Sequence, residues 1–283
     1  MSKRISSAIE LRAALEDLRN HGQSIGFVPT MGFLHAGHGS LLTRARQDND
    51  VVVLSIFVNP LQFNVASDFE VYPTDNKRDD ALANEHGVDI IFSPSTEEMY
   101  PGGRPKTSVR VSEVTDVLEG AHRPGHFDGV ALVVAKLLNI VDPTRAYFGE
   151  KDLQQLAVVR QMADDLSMAC EIIGCPIVRN PDGLALSSRN SLLSTEDRRK
   201  ALSLSRALDA GKEAFSSGAT TPRDVIDAMR RVFEAEADVK VDYASVVDCE
   251  TLREPEVLSV PFQILVAATI GNVRLIDNCR VEG

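Results

Sequence analysis

Two histidines, His35 and His38, are the residues of this sequence best suited by type and spacing to chemistry on a phosphate. They lie in the segment Pro29-Thr-Met-Gly-Phe-Leu-His-Ala-Gly-His38, which follows a short apolar run. Residues three apart share one face of a helix, so both imidazoles face one ligand if a helix begins around them. A neutral imidazole donates one hydrogen bond, and a protonated one also offsets charge that builds up on phosphorus. The spacing therefore favours a phosphate site at this turn.

The glycines of the same turn favour a nucleotide as the ligand. Gly32 and Gly37 remove side chains where a nucleotide approaches the backbone, and a following helix presents N–H groups and its positive dipole end to phosphate. Two alternatives stay open at this point. Both histidines could be ordinary loop residues, or they could bind zinc with His122 and His126, although no cysteine lies near and the separation fits no zinc-finger spacing.

Two further segments are candidates for phosphate contacts. The segment Phe148-Gly-Glu-Lys-Asp152 follows an apolar run, and its Lys151 supplies a point charge. The segment Asp182-Gly-Leu-Ala-Leu-Ser-Ser-Arg-Asn190 supplies two hydroxyl donors and the planar guanidinium of Arg189. Taken singly, the first segment is more typical of a solvated charged turn, and the second is equally typical of a polar turn.

The elements around these segments predict a parallel sheet. Short apolar runs typical of buried strands alternate with helical patterns. Parallel strands need a covering crossover, so the alternation predicts an α/β, Rossmann-like doubly wound fold with ligands beyond the carboxyl ends of its strands. The predicted strands are 25–28, 51–58, 88–92, 146–148 and 172–178, and the predicted helices are one opened by a possible capping box of Ser7 and Glu10, then 40–47, 76–86, 127–140 and 153–166.

A second, smaller domain is predicted toward the C-terminal end. The pattern changes after Arg189 to two long helices, joined by a turn-rich segment and followed by strand-like runs. The helices are 195–216 and 222–237, and the strands are 239–247, 264–270 and 273–276. We therefore predict a nucleotide-binding domain over residues 1–178 and a smaller α+β domain over residues 179–283.

Composition and charge argue against several classes of protein. The formal net charge of −11 repels nucleic-acid backbones, and the basic residues form no single block, so no nucleic-acid partner is expected. Cys170, Cys175, Cys249 and Cys279 have neither C-x-x-C spacing nor disulfide-scaffold density, which indicates free thiols in a reducing compartment. No signal-peptide pattern or apolar stretch of transmembrane length is found, so we expect a cytoplasmic protein without membrane contacts.

Six segments of the sequence, taken in order, carry a specific resemblance. They are Pro29–His38, Ile56-Phe-Val-Asn-Pro-Leu-Gln-Phe63, Arg123-Pro-Gly-His-Phe127, Phe148-Gly-Glu-Lys-Asp-Leu-Gln-Gln155, Asp182–Asn190 and Arg274-Leu-Ile-Asp-Asn278. Together they resemble the pantothenate synthetase (pantoate:beta-alanine ligase) family of the HIGH-motif nucleotidyltransferase superfamily. The resemblance runs nearly end to end, and six motifs in order are far more specific than any one of them.

The resemblance implies a two-step reaction that consumes ATP with Mg²⁺. Pantoate would react with ATP to give pantoyl adenylate and pyrophosphate, and the amine of beta-alanine would then displace AMP to give pantothenate, on the route to coenzyme A. No tightly bound organic cofactor is implied. The family also implies a homodimer. Because the adenylate is prone to hydrolysis, we expect the C-terminal domain and the loop 187–189 to close over the active site.

The resemblance also implies roles for individual residues. The implied catalytic residues are His38, as the proton donor, with His35, Lys151, Ser188 and Arg189. The implied ATP contacts are Met31, Gly32, Phe33, Leu34, His35, Ala36, Gly37, His38, Gly149, Glu150, Lys151, Asp152, Val178, Leu186, Ser187, Ser188 and Arg189. Gln62 and Gln155 would hydrogen-bond pantoate, with Gln62 also near beta-alanine. The metal ligands are not assigned, and His122 and His126 receive no chemical step.

Some residues depart from the family pattern or have no assigned role, and two alternative functions remain open. Phe33 and Gly39 differ from the family's usual Ala and Leu on either side of the nucleotide turn. Asp75, Asp79 and Asp80 are carboxylates near the motifs, for which a solvated helix start is the expected role. The alternatives are a related nucleotidyltransferase, which the two glutamines disfavour, and a catalytically silent nucleotide-binding protein, which the presence of His38 and Lys151 disfavours.

Overall fold

The structure, a computed structural model, describes residues 1–63, 69–70 and 72–282. The chain forms two compact units: the first comprises residues 1–150 and 155–176, and the second comprises residues 151–154 and 177–283. Each unit has its own β-sheet and its own apolar core. Within the described ranges, no helix is both long enough and apolar enough to span a bilayer.

The sheet of the first unit is parallel throughout, in the order β1-β4-β3-β2-β5-β6. Its strands are β1 (Lys3–Ile5), β2 (Ile25–Thr30), β3 (Val51–Ile56), β4 (Ile90–Phe92), β5 (Arg145–Gly149) and β6 (Glu171–Cys175). The central strands are continuous apolar runs that are buried on both faces, because helices cover both sides of the sheet. The predicted Rossmann-like sheet is confirmed.

The described helices that follow these strands are α1 (Ala8–Asn20), α2 (Ala36–Asp48), α3 (Asn76–Glu85), α4 (Thr96–Met99), α5 (Leu118–His122), α6 (His126–Val141) and α7 (Leu153–Asp165). Ser7 caps α1, because its side chain accepts a hydrogen bond from the N–H of Glu10. Helix α6 is apolar on nearly all sides and is correspondingly buried in the core of the unit.

The strand order reverses between β2 and β5, which are neighbours through the pairs Gly26–Arg145 and Phe27–Ala146. From β2 the chain continues through β3 to β4 on one side, and from β5 it continues to β6 on the other. Ligands of open α/β sheets bind beyond the carboxyl ends of the strands at such a reversal. The segment that carries His35 and His38, residues 31–38, follows β2 and is called the histidine turn below. The segment 148–152 begins within β5, so both candidate segments start at this reversal of the strand order.

The second unit pairs two helices with an antiparallel sheet. The helices are α8 (Thr195–Ser216) and α9 (Pro222–Glu234), and the sheet has the order β7 (Val239–Asp248), β8 (Phe262–Ile270) and β9 (Val273–Val281). Ser194 and Thr221 cap the two helices, and Pro222 occupies the first helical position, where no N–H is needed. These elements confirm the predicted α+β pattern, with strands longer than the apolar runs by a few residues.

One strand of the sheet has no signal in the sequence pattern. β1 has three residues, of which Lys3 and Arg4 are exposed and only Ile5 is buried. It is a strand because it pairs with β4 at the edge of the sheet. Three residues are too few to show a period, so only the long-range pairing reveals this strand.

Candidate active site

The two histidine side chains of the histidine turn accept hydrogen bonds from its own backbone at the start of α2. His35 is the N-cap residue, and its Nδ1 accepts a hydrogen bond from the N–H of Gly37 at 3.1 Å. The Nδ1 of His38 accepts the N–H of His35 at 3.3 Å. The two ring centroids are 4.1 Å apart, with an angle of 36° between the ring planes. The expectation that both imidazoles share one face is therefore confirmed.

These hydrogen bonds also select a tautomer for each ring. A backbone N–H can only donate, so both Nδ1 atoms act as acceptors and each neutral ring carries its proton on Nε2. His35 and His38 are thus Nε2–H donors at the amino end of a helix, where backbone N–H groups and the helix dipole also favour an anion. This arrangement suits a phosphate group.

Asp79 shapes the same turn. It lies in the first turn of α3 as expected, but the expectation that its side chain is solvated is wrong. Its side chain is buried in α3, with the residue 1% exposed. One carboxylate oxygen accepts the N–H of Leu34 at 2.6 Å, and the other accepts the N–H of Phe33 at 2.9 Å. Asp75 does cap α3 as expected, and Asp80 forms an ion pair with Arg4. The packing of α3 against the turn, which the sequence does not show, buries Asp79.

The carboxylate holds an unusual backbone in place. Phe33 has a φ of 50°, in the left-handed region that side chains disfavour, directly after Gly32 at 82°. The guanidinium of Arg78 lies over the Phe33 ring, 5.0 Å from its centroid. Gly39 leaves room for the ring of His86, because a Cβ at Gly39 would lie 2.5 Å from His86 Nε2. Phe33 and Gly39 therefore each have packing partners of their own.

Replacing Asp79 with Asn should weaken ATP binding about tenfold. Asn has one acceptor oxygen, so one of the two N–H groups would face an amide NH₂ and lose its buried partner, at a cost of about 1–3 kcal/mol. The measurement is ATP affinity by calorimetry for the wild type and Asp79→Asn. Asp80→Asn, which changes the neighbouring carboxylate outside this turn, is the matched control and should bind ATP normally.

The pH dependence of the same pair of proteins gives a second readout. Burial raises the pKa of Asp79, and the N–H groups of Leu34 and Phe33 offset this only in part. The folded pKa then exceeds the unfolded one, so the stability contributed by Asp79 is present at low pH and is lost as pH rises through the folded pKa. The turn keeps both hydrogen bonds only in the ionised state. As pH rises through the pKa of Asp79 in the folded protein, the difference in Tm between the wild type and Asp79→Asn should shrink. Over the same pH range, the difference in ATP affinity between the two proteins should grow. If the two differences changed in the same direction, this account would be contradicted.

Gln62 lies against the histidine turn. It ends a short 3-10 helix (Pro60–Gln62) and is buried. Its Nε2 is 3.1 Å from Met31 Sδ, and its Oε1 accepts a hydrogen bond from Asn59 Nδ2 at 3.0 Å. A thioether is a weak acceptor, so the contact with Met31 uses little of the donor strength of the amide. Gln62 therefore presents N–H donors at the turn that carries both histidines.

In the second unit, Lys151 is tied to the small sheet. It lies in a 3-10 helix (Glu150–Asp152), and its backbone carbonyl accepts a hydrogen bond from Asn278 Nδ2 at 2.9 Å. Its Nζ is 3.9 Å from an oxygen of the half-exposed Asp152. An ion pair of that length, with one partner half exposed, holds the ammonium weakly. The backbone of Lys151 is thus fixed by β9, while its charge is only loosely paired.

The Ser187–Arg189 segment follows a short hairpin in the same unit. The N–H of Leu186 donates to the carbonyl of Val178 at 3.0 Å, which closes the hairpin. Ser187 then caps a 3-10 helix (Ser188–Leu192), because its Oγ accepts the N–H of Arg189 at 3.3 Å. Ser188 is buried, whereas the Arg189 side chain is only partly so. The two serines and the arginine are therefore held in one short, ordered turn.

The candidate residues divide between the two compact units. The first unit holds Met31–His38, Gln62, Gly149, Glu150 and Gln155, and the second holds Lys151, Asp152, Val178 and Leu186–Arg189. Gln155 is half-buried in the first turn of α7, and His122 is exposed at the end of α5. Over residues 1–63, 69–70 and 72–282, no three His, Cys, Asp or Glu side chains come together as a metal site would require.

The sequence did not reveal the hydrogen bonds of several residues that organise the candidate site. Asp79, Asn59 and Asn278 each hydrogen-bond a candidate residue or its backbone, and Arg179 pairs with the buried Asp277 beneath the hairpin. Asn59 and Asn278 lie within the family motifs, and this position was the one sign in the sequence that they could matter for the site. For Asp79, a carboxylate within an exposed-looking helix start, no such signal exists.

Comparison with known proteins places the chain in one family. The family model described as pantoate-beta-alanine ligase matches residues 3–280. The pantothenate synthetase of Caldicellulosiruptor bescii is 49% identical to this chain over 273 residues, which is 96% of both chains. That of Aquifex aeolicus is 48% identical over 274 residues, again 96% of both.

Solved structures agree with the sequence comparison. Pantothenate synthetase from Thermus thermophilus matches with a TM-score of 0.94 and 48% identity, over 99% of this chain and 100% of that one. Pantoate-beta-alanine ligase from Francisella tularensis, solved in complex with beta-gamma ATP and beta-alanine, matches with a TM-score of 0.83 and 35% identity, over 99% and 98%. From its sequence, its fold and the order of its motifs, the chain belongs to the pantoate-beta-alanine ligase family.

Proposed function

We propose that this protein condenses pantoate with beta-alanine to form pantothenate, with ATP as the energy source. Its family membership and the Francisella tularensis relative, whose complex holds an ATP species and beta-alanine, support this activity. The paired Nε2–H donors of His35 and His38 at a helix amino end support a phosphate-bearing substrate. The activity belongs to the carbon–nitrogen ligases.

The reaction has two displacement steps. In the first, a carboxylate oxygen of pantoate attacks the α-phosphorus of ATP, the bond from that phosphorus to the bridging oxygen breaks, and pyrophosphate leaves; Mg²⁺ bound to ATP would offset the charge on the phosphates. In the second, the amine of beta-alanine attacks the acyl carbon of pantoyl adenylate, AMP leaves, and the nitrogen loses a proton as the amide forms. Both steps need donors that take up charge on the phosphate as it develops.

The residues divide these tasks in the proposed mechanism. His38 and His35 donate to the phosphates, with His38 as the proton donor, while Lys151, Ser188 and Arg189 bind the charge that pyrophosphate carries away. The remaining predicted ATP contacts, Met31–Leu34, Ala36, Gly37, Gly149, Glu150, Asp152, Val178, Leu186 and Ser187, hold the nucleotide. Gln62 and Gln155 bind pantoate.

The single observation that carries the proposal is the amide of Gln62 beside Met31 on the histidine turn. An amide donates to a carboxylate or hydroxyl without forming an ion pair, so it recognises pantoate and leaves the carboxylate nucleophilic. The thioether of Met31 is a weak acceptor, so the buried Gln62 amide gains a stronger partner when a substrate oxygen accepts from it, which supports a substrate beside the nucleotide.

The test is pyrophosphate release by the purified protein with ATP, Mg²⁺ and pantoate, with and without beta-alanine. Carboxyl-¹⁸O-labelled pantoate should transfer one ¹⁸O to AMP, because the attacking oxygen leaves with the phosphate. Pantothenate should appear only when beta-alanine is present, and chelation of Mg²⁺ should stop turnover. Gln62→Glu, which replaces the donor with a negatively charged acceptor, should lower kcat/KM for pantoate roughly 100-fold.

Each alternative has its own outcome in this assay. A related nucleotidyltransferase would release pyrophosphate with another acceptor and form no pantothenate. A silent nucleotide-binding protein would show a thermal shift with ATP but no release. Unlabelled AMP from labelled pantoate would contradict the adenylate route while leaving the overall condensation possible.

Closure over the adenylate is a further part of the proposal. We propose that the domain over residues 179–283, with the loop Ser187–Arg189, closes when ATP and pantoate bind, because an open site would let water hydrolyse the adenylate. Hydrogen exchange at residues 187–189 should slow in the presence of both substrates, and the radius of gyration from small-angle scattering should fall. Unchanged values in both measurements would count against closure.

The remaining expectations concern the state of the protein. We propose that it acts as a homodimer in the cytoplasm, with ATP bound as its Mg²⁺ complex. Family membership supports the homodimer, and free cysteines support a reducing compartment. Sedimentation equilibrium at micromolar concentration would measure the mass, and a monomer there would contradict the dimer.

A further inference from the structure

A set of hydrogen bonds that the proposed mechanism does not use surrounds Gln62. At its centre is Asn59, which is 1% exposed. Asn59 Nδ2 donates to Gln62 Oε1 at 3.0 Å and to the carbonyl of Gly129 at 3.1 Å. Asn59 Oδ1 accepts the N–H of Leu61 at 3.2 Å and the hydroxyl of Tyr100 at 2.8 Å. The amide of Asn59 therefore has four partners.

These partners determine the orientation of the Gln62 amide. The carbonyl of Gly129 can only accept and the N–H of Leu61 can only donate, so the nitrogen and oxygen of Asn59 are assigned by their neighbours. The Gln62 atom that faces Asn59 Nδ2 must then be an acceptor, Oε1. The Nε2 of Gln62 is left on the side of Met31 and the histidine turn.

His126 fixes the backbone of the same residue. Its Nδ1 is 2.7 Å from the Gln62 carbonyl, which can only accept, so Nδ1 carries a proton and donates. Its Nε2 is 3.1 Å from a guanidinium nitrogen of Arg123, which can only donate, so Nε2 accepts. His126, 8% exposed, is thus a neutral ring with both nitrogens used, and it ties the start of α6 to Gln62.

Two neighbours make this arrangement rigid. A Cβ at Gly129 would lie 2.4 Å from the carbonyl oxygen of Leu61 and 2.8 Å from the Cα of Gln62, so α6 meets the 60–62 turn backbone to backbone. Burial raises the pKa of Tyr100, which keeps its hydroxyl protonated and able to donate to Asn59. Flipping the amide of Asn59 or Gln62 would leave a buried polar group without its hydrogen-bond partner.

We propose that Asn59 and His126 are positioning residues that fix Gln62 with its N–H donors toward the substrate, so that the site accepts only a group with an acceptor oxygen there. The inference rests on the proposed function, in which that oxygen belongs to pantoate. Asn59 sets which end of the amide faces the substrate, and His126 sets where the backbone of Gln62 lies. In this proposal both residues act through Gln62 and not on the reacting atoms.

The test compares three variants by steady-state kinetics, well below their Tm values. His126→Leu removes the donor to the Gln62 carbonyl and should raise the KM for pantoate roughly 10-fold while leaving the KM for ATP within twofold. His126→Asn, whose amide nitrogen replaces Nδ1–H, should recover most of this loss. Tyr100→Phe removes only a hydroxyl and should raise the pantoate KM about threefold. His122→Ala, an exposed histidine four residues away, is the control.

The outcomes separate this inference from the function on which it rests. A wild type that shows no pantoate-dependent pyrophosphate release would overturn both. An active wild type with an unchanged pantoate KM in His126→Leu, or with the KM values for ATP and pantoate raised equally, would overturn the positioning role alone. If His126→Leu does not fold, Tyr100→Phe decides: a pantoate KM that rises selectively supports the role, and an unchanged one overturns it.

Discussion

Replacing His38 with Ala is expected to lower kcat about 100- to 1,000-fold, the typical loss when a donor to developing charge is removed. The ring of His38 carries its proton on Nε2, because its Nδ1 accepts the N–H of His35 at the start of α2. The effect falls on kcat because the charge on the phosphate grows as the bond to pyrophosphate breaks. KM for pantoate should change little, since Gln62 is untouched.

Two further variants distinguish loss of the hydrogen-bond donor from a general effect on folding. His38→Gln keeps an N–H donor near the position of Nε2 and should retain more activity than His38→Ala. His21→Ala removes an exposed histidine at the end of α1 and should retain full activity. The ring of His38 also accepts the N–H of His35, so His38→Ala should lose about 1 kcal/mol of stability, whereas the Gln side chain at this third helical position can accept the same N–H. Activity within threefold of the wild type in His38→Ala would exclude this turn as the phosphate site.

The second large effect is expected on stability, from Arg179→Met in the second unit. Arg179 forms two hydrogen bonds with Asp277, at 2.6 and 2.8 Å, and also donates to the carbonyls of Gly183 and Asn278. The Asp277 side chain is 1% exposed. Removing Arg179 leaves this carboxylate buried without its counter-ion, which costs about 3–5 kcal/mol. We expect a loss near 3 kcal/mol, because the Arg179 side chain is 29% exposed and water partly replaces it.

Thermal unfolding measures this loss, which should lower Tm by roughly 6–12 °C. The double variant Arg179→Met/Asp277→Leu should recover most of it, because replacing both charges leaves nothing unpaired. Arg110→Met, which removes one partner of an exposed pair with Asp116, should change stability by less than about 1 kcal/mol. A double variant as unstable as Arg179→Met would show that the pair acts through shape rather than charge. Because the hairpin beneath Ser187–Arg189 also depends on Arg179, ATP affinity should fall with stability.

Local features of this protein were readable from the sequence because their causes are local. Ser7, Ser194 and Thr221 cap helices through bonds that span three residues. The alternation of apolar strands and helices follows from burial with a fixed period, and it predicted the parallel sheet. The histidine turn was found because two residues three apart share a face wherever a helix starts. The order of six motifs then pointed to the family.

Other features came only from the tertiary structure, because they depend on which elements pack together. Asp79 reaches Phe33 across 46 residues, and His126 reaches the carbonyl of Gln62 across 64. Arg179 and Asp277 are 98 residues apart. No hydrophobic periodicity and no capping pattern marks these partners. From the sequence, Asp79 was therefore expected to be solvated, and His126 received no role. The sequence by itself determined most of the helices and strands, and it predicted the candidate site residues. Only packing decided where the short strand β1 pairs and which buried polar groups hold the candidate residues in place, because a buried donor or acceptor must find its partner wherever the fold brings one.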